Sequence, residues 1–274
     1  MTIEWHTHLC EYYQVTPEKA LELGTRSSGR RPALPGSETC KPVSGKTFED
    51  IWAEKERKDT QSVFNFYKDQ GAWSTFRQCV RHKDFEKLHI AYYQYLAEKN
   101  VLRQGSHLCE YGAGVAPFTT TFLKYLSNTM PNLTITIVDV DCEHFNFAKY
   151  RLNKIKEERG LSKIELIFET VEPNKLPTFK KKLDALFCFE VLEHTPSPAD
   201  VINNIKDSMS PGGYYIENFI KHKDMSGDGP DLVSAKKERS KYYQILDQYY
   251  NIAVPEKYND DNPNITRIWQ RNSL

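Results

Sequence analysis

His107-Leu108-Cys109-Glu110-Tyr111-Gly112-Ala113-Gly114-Val115-Ala116-Pro117 is the stretch on which the reading of this chain turns. His107 to Tyr111 reads as a short buried strand. Gly112 and Gly114 then let the backbone turn tightly and approach a ligand with no Cβ in the way. Pro117 suits the first turn of a helix, predicted to run to about Ser127. The third glycine of a dinucleotide fingerprint is replaced by Ala116. Glu110 lies inside the strand, where an isolated carboxylate is costly, so it requires a partner such as a bound ammonium or a backbone N–H.

Outward from this stretch the chain alternates between strands and helices. Leu133 to Val138 (LTITIV), Ile164 to Phe168, Leu183 to Phe189 and Tyr214 to Phe219 read as strands, the last announced by Pro211-Gly212-Gly213. Helices are predicted over Asp84 to Lys99, Cys142 to Arg159 and Pro198 to Met209. In the first of these, Phe85, Leu88, Tyr92 and Leu96 recur at three- and four-residue spacing. Short apolar strands separated by helices mean a parallel sheet covered on both faces. The end of the chain differs. After a helix from Ser234 to Tyr250 come Ile252 to Val254, a polar turn over Asn259 to Pro263, and a strand from Ile265 to Gln270, which reads as an antiparallel hairpin. The fold class is therefore α/β: a Rossmann-like, mostly parallel sheet with a C-terminal antiparallel hairpin, over residues 84–274.

Residues 1–83 read as a separate N-terminal extension, mostly helical. Thr16-Pro17-Glu18 opens a short helix, Gly24 to Gly45 is too punctuated for a regular element, and Thr47 to Arg57 and Gln61 to Gln70 look helical. Trp52, Phe64, Phe66, Tyr67, Trp73 and Phe76 make this segment aromatic. Two readings stay open: the rings dock the extension onto the main domain, or some of them line a pocket as a substrate lid.

Composition narrows the partners. In 274 residues, 37 basic side chains balance 37 acidic ones, so no overall field favours nucleic acid as a partner. The cysteines, Cys10, Cys40, Cys79, Cys109, Cys142 and Cys188, form no C-x-x-C pair, and Cys109 and Cys188 fall in predicted buried strands. A reducing, cytoplasmic setting is expected. No apolar run is long enough for a signal peptide or a membrane span. The balanced charge and aromatic content are compatible with a homodimer. His6 and His8 read as a solvated terminus, Arg26, Arg30 and Arg31 as solvated loop arginines, Lys180 to Lys182 as a surface turn, and Tyr242, Tyr243, Tyr249 and Tyr250 as packing.

A second feature follows the glycine loop. The second strand ends in Val138-Asp139-Val140-Asp141, about 25 residues after Gly114, and an acid there is placed to accept hydrogen bonds from both hydroxyls of a ribose. Asp139 follows directly on the apolar run, whereas Asp141 suits the N-cap of the next helix. Glu110-x-Gly112-x-Gly114, Asp139, the run Cys188 to His194 (CFEVLEH) and Met209-Ser210-Pro211-Gly212-Gly213 together resemble class I S-adenosylmethionine-dependent methyltransferases. With Glu169-Thr170-Val171-Glu172 included, the segment is most similar to ubiquinone-biosynthesis O-methyltransferases. Its E-x-x-E-H run also resembles small-RNA 3′-terminal 2′-O-methyltransferases. The resemblance covers about residues 105–220. It implies that Gly112 and Gly114 pass under the methionine part of S-adenosylmethionine, that Asp139 holds the ribose, and that Glu169, Thr170 and Val171 lie by the adenine, with Glu110 and Glu190 adding to the cofactor site.

Residues just after the fourth strand face the reacting methyl in such a fold. Glu190, Glu193 and His194 stand at i, i+3 and i+4, a spacing that points all three the same way on a helical turn. They are the candidate catalytic residues. Two carboxylates and an imidazole, with His222 as a fourth ligand, invite Mg²⁺ or Mn²⁺ more than zinc, and in the two families named the run is implied to hold a metal that binds the acceptor hydroxyls. The alternatives are metal-free: His194 as general base or substrate contact, or a purely structural run. The expected activity is methyl transfer to a small-molecule acceptor, on a hydroxyl. The alternatives are methylation of an RNA 3′-terminal ribose and a non-catalytic cofactor-binding regulator.

Overall fold

The structure is a computed structural model that describes residues 4–25, 57, 59–126, 132–220, 231–254 and 266–273. His222, Arg26, Arg30, Arg31, Trp52, Cys40, residues 47–56 of the helix expected over Thr47 to Arg57, and the turn at 259–263 lie outside the described residues.

The helices are α1 (Thr7–Tyr13), α2 (Pro17–Thr25), α3 (Thr60–Lys68), α4 (Gly71–Lys83), α5 (Glu86–Glu98), α6 (Pro117–Tyr125), α7 (Glu143–Glu158), α8 (Pro198–Ser208) and α9 (Val233–Tyr249). The strands are β1 (His107–Tyr111), β2 (Leu133–Val140), β3 (Ile164–Val171), β4 (Leu183–Phe189), β5 (Met209–Asn218), β6 (Tyr250–Ile252) and β7 (Arg267–Arg271). They form one sheet in the order β3-β2-β1-β4-β5-β7-β6. The pairs among β1 to β5 are parallel, and β7 is antiparallel to both β5 and β6. The expected Rossmann-like sheet with its antiparallel C-terminal hairpin is thus observed.

Alternating side chains serve the two faces, as the two-residue period of a strand requires. Leu108, Ile135, Ile137, Phe187 and Ile216 face α5, α6 and α7, where Tyr93, Phe122, Phe145 and Leu152 are fully buried. Cys109, Val138, Leu186, Cys188 and Tyr215 face α8 and α9, against Ile202, Ile205, Tyr242 and Leu246. The tyrosines of α9 are packing residues, as expected: the Tyr215 and Tyr242 hydroxyls are 2.9 Å apart in the core. Among the described residues no helix is long and apolar enough to cross a membrane.

Three local features depart from the sequence reading. The helix α4 was not anticipated. It buries Ala72, Trp73, Phe76 and Cys79, and a two-residue turn at Asp84-Phe85 separates it from α5. Pro211-Gly212-Gly213 is no turn before a strand but part of β5, which begins at Met209. The extra residues are taken up as a bulge, because Leu183 pairs with Met209 and Ala185 with Tyr214. His8 is not solvated: it is 1% exposed and 3.1 Å from the Glu158 carboxylate. With Leu9, Leu23 and Phe76 it brings the N-terminal helices against Val115 and Phe147 of the sheet domain.

The C-terminal strand is fastened by a buried acid. Glu217 accepts the Trp269 indole N–H at 3.1 Å and the Phe219 amide at 2.6 Å, and it faces the Arg267 guanidinium at 3.9 Å. Glu217→Ala removes the carboxylate opposite a buried guanidinium, so it is expected to cost about 3–5 kcal/mol in urea unfolding. Glu217→Gln, which keeps an acceptor for Trp269, is expected to cost less.

Candidate active site

In the order β3-β2-β1-β4-β5 the direction of winding reverses between β1 and β4, and a crevice opens at the carboxyl ends of those strands. It widens into a cavity of about 1610 Å³, lined from the sheet by the Gly112–Gly114 loop, Asp139, Val171 and Glu190 and roofed by α3 and α4.

The loop after β1 is fixed by hydrogen bonds to β2. The amides of Gly112 and Ala113 donate to the Val138 carbonyl at 2.8 and 3.0 Å, and the Gly114 amide donates to the Asp139 carboxylate. Both glycines hold positive φ, +66° and +54°. A Cβ at Gly112 would lie 2.2 Å from the Val191 methyl, and one at Gly114 would lie 2.5 Å from Gln78 Oε1. The loops after β1 and β4 therefore meet where only glycine fits. Ala116 also takes a left-handed conformation, φ +50°. The third-glycine position here demands a left-handed backbone at a fully buried place, and alanine meets it at a cost of about 1–2 kcal/mol.

The partner of Glu110 is the backbone. Its carboxylate accepts the Phe118 amide at 3.1 Å, the Thr119 amide at 2.8 Å and the Thr119 hydroxyl at 2.6 Å, closing the first turn of α6. Burial still pushes its pKa up to about 7, against those three bonds. Asp139 is raised to about 6 by the same cause, although it accepts the Gly114 amide and, at 2.6 Å, the Val140 amide. Each Asp139 oxygen keeps a lone pair for a further donor. Positive-φ glycines under an open cavity, beside a carboxylate with acceptor capacity left, fit the passage of S-adenosylmethionine. At the end of β3, Val171 lines the cavity, whereas Glu169 and Thr170 do not.

The E-x-x-E-H run is not one helical turn. Glu190 sits in the left-handed region at φ +56°, its amide donates to Asn218 Oδ1 at 2.7 Å, and only Leu192–His194 forms a short 3₁₀ turn. The spacing argument fails because Glu190 lies before the turn. Glu190 pairs with Arg81 of α4 and, with His194, lines the cavity. Glu193 does not. It is fully buried, its carboxylate oxygens have no hydrogen-bond partner among the described residues, and burial lifts its pKa well above the carboxylate range. Among the described residues no group of three or more His, Cys, Asp or Glu side chains is placed to hold a metal ion. Of the ligands expected for Mg²⁺ or Mn²⁺, Glu190 and His194 line the cavity, Glu193 is turned into the core, and His222 lies outside the described residues.

The aromatic residues of the extension divide between the two readings left open. Phe64 and Tyr67 line the cavity, while Phe66, Trp73 and Phe76 are buried in packing. Arg77, Gln78, Arg81 and His82 of α4, His89 of α5 and Asn218 of β5 also line it and were not singled out from sequence. The i, i+4 pair Arg77–Arg81 and the polar Gln78 between buried Trp73, Phe76 and Cys79 were the available signal.

Comparison with known proteins bears on the same segment. Residues 109–215 match a family described as "Methyltransferase domain". A tRNA U34 carboxymethyltransferase of Campylobacter curvus (strain 525.92) is 24% identical over 145 residues, 46% of this chain and 47% of that protein. A ubiquinone biosynthesis O-methyltransferase of Actinobacillus pleuropneumoniae serotype 5b (strain L20) is 34% identical over 90 residues, 32% of this chain and 36% of that protein. The chain thus spans less than half the length of these curated relatives. Among solved structures, a S-adenosylmethionine-dependent methyltransferase from Clostridium acetobutylicum ATCC 824 aligns with a TM-score of 0.49 at 11% identity, covering 70% of this chain and 92% of that one. The family match runs from β1 into β5 and takes in the glycine loop and Asp139, so the likeness to a methyltransferase domain falls on the segment that builds the crevice.

Proposed function

We propose that this chain transfers a methyl group from S-adenosylmethionine to a small-molecule acceptor, on a hydroxyl. The observation that carries the reading is the cavity itself. The cofactor-side loop and the post-β4 residues Glu190 and His194 open into one space roofed by α3 and α4, which suits a small acceptor better than a polymer. The balance of charge over the chain points the same way. The ubiquinone biosynthesis O-methyltransferase among the relatives supports the hydroxyl, over a short shared segment.

S-adenosylmethionine, when bound, supplies an electrophilic methyl on a sulfonium. The chain's own residues bind and orient. Gly112 and Gly114 give the backbone approach, and Asp139 accepts the ribose hydroxyls. Val171 flanks the base, with Thr170 and Glu169 one and two residues before it along β3. Glu110 fixes α6 behind the loop, and Glu190 and His194 face the acceptor side. The walls that hold the acceptor oxygen in line with the methyl supply the proximity on which such a displacement depends.

Isothermal titration with S-adenosylmethionine tests this directly. Wild type should bind, and Asp139→Ala should weaken binding by about tenfold or more, equivalent to about 1.4 kcal/mol. No binding at millimolar cofactor by a folded protein would overturn the reading.

The pH dependence has a definite sign. Asp139 in the folded protein titrates near 6, above the ordinary aspartate value of 3.8. Below that point it is protonated and loses acceptor capacity toward the ribose. Affinity should therefore fall as pH drops through 6, to about one-tenth at pH 5 of its value at pH 7. In Asp139→Asn that dependence should vanish.

A further inference from the structure

Four imidazoles among the described residues line the cavity: His82, His89, His144 and His194. At His89 the surroundings fix which ring nitrogen carries the proton. Its Nδ1 lies 3.1 Å from the Thr121 hydroxyl oxygen, and that hydroxyl donates its single proton to the Pro117 carbonyl, 2.9 Å away within α6. Toward His89 the hydroxyl can then only accept, so Nδ1 bears the hydrogen and Nε2 keeps its lone pair. Burial holds the ring neutral, pushing its pKa down to about 4, with Glu86, three residues earlier on α5, the one charge opposing that shift. His89 is 3% exposed, and Nε2 has no protein hydrogen-bond partner among the described residues. Nε2 is not shut off from the cavity, so water meets its lone pair until a ligand donor takes that place.

The recess is aromatic. The His89 ring centroid is 4.2 Å from that of Phe118, and Phe118 is 4.5 Å from Phe189, the residue preceding Glu190. Phe85 and Leu88 line the same space. Flat apolar walls around the acceptor nitrogen of His89, with the His82 ring 6.1 Å away, suit a flat, uncharged ligand that carries an O–H or N–H.

We propose that this recess is the acceptor subsite and that His89 Nε2 receives the acceptor's proton. The proposal rests on the methyltransferase reading above. As the acceptor's oxygen or nitrogen bonds to the methyl carbon, the carbon–sulfur bond breaks and its electron pair stays on sulfur as a thioether. The acceptor's proton, made acidic by the new bond, passes to Nε2. The positive charge that began on the sulfonium ends on imidazolium, which gives its proton to water as the product leaves. The ring is neutral before the step and so able to take the proton, which reaches it once the new bond to carbon has made the acceptor's proton acidic.

The test uses protein loaded with S-adenosylhomocysteine and three ring probes: phenol, aniline and benzene. Loading is itself the control. If S-adenosylhomocysteine does not bind, the methyltransferase reading fails before any probe is added. With the cofactor product bound, phenol or aniline should bind wild type at least tenfold more tightly than benzene. His89→Phe keeps a ring against Phe118, and in it that preference should fall to within about twofold while S-adenosylhomocysteine affinity is unchanged. Nitrogen-15 NMR of imidazole-labelled wild type gives a second reading that needs no variant. His89 should show the Nδ1-protonated tautomer, with an Nε2 resonance that moves on addition of the donor-bearing probe and not of benzene. An Nε2-protonated tautomer, a preference that survives in His89→Phe, or failure of both donor-bearing probes to bind would overturn the proposal.

Discussion

The carboxylate of Glu110 takes up the Phe118 and Thr119 amides that begin α6, and the geometry of the crevice follows from that attachment. A helix begins with amides that have no partner within it, and each one left buried and unsatisfied costs about 1–3 kcal/mol. Because Glu110 stands on β1, the helix start is fixed relative to the sheet, and the loop between them has no freedom in length. It turns through two positive-φ glycines and a left-handed alanine to reach α6. Asp139 does the equivalent for the middle of the loop through the Gly114 amide. Both acids resist ionisation in this setting, with pKa values raised to about 7 and about 6. Their native forms bind more protons than the unfolded chain does between pH 4 and 7, so stability declines as pH rises through that window. A ligand that carries a sulfonium and an ammonium, as the proposed cofactor does, favours the ionised forms and offsets part of that loss.

Strain concentrates where the loops meet. Ala116 and Glu190 are both left-handed, and each such residue costs of order 1–3 kcal/mol. The surroundings fix the second as firmly as the first: the Glu190 amide is held by Asn218 at the end of β5, and the next side chain, Val191, is packed against Gly112. The left-handed turn swings Glu190 toward the cavity, while Glu193, three residues on, is fully buried and absent from the cavity wall. A continuous helix would have placed the two side by side.

That turn also explains how far the sequence could be read. The central strands were legible because they are nearly continuous apolar runs covered on both faces, and β1, β2 and β4 begin where the sequence reading put them. The loop and Asp139 were legible because glycine and an acid at strand ends have few other uses. The E-x-x-E-H geometry was not, since one positive-φ residue that is not glycine leaves no mark in composition and moves everything after it. The helix α4 was missed for a different reason. It starts at a glycine, carries Thr75 and Val80, and buries Ser74 and Thr75 beside its aromatics, so neither propensity nor a clean apolar stripe announces it. Only tertiary contact decides it, with Phe76 and Cys79 packed beside Leu9, Leu23 and Phe147.

The same contacts decide how the roof of the cavity is held. The visible link across it is the Arg81–Glu190 ion pair, with side chains 51% and 32% exposed. A pair so open to solvent contributes about 0–1 kcal/mol. The apolar cluster behind it contains fully buried Leu9, Leu23, Phe76 and Phe147, each worth about 1.5–3 kcal/mol. The N-terminal helices are therefore anchored by their apolar side, and the ion pair can open without displacing them. Of the aromatic extension, α1, α2 and α4 are thus held to the sheet domain chiefly by apolar packing, to which the Arg81–Glu190 pair adds little.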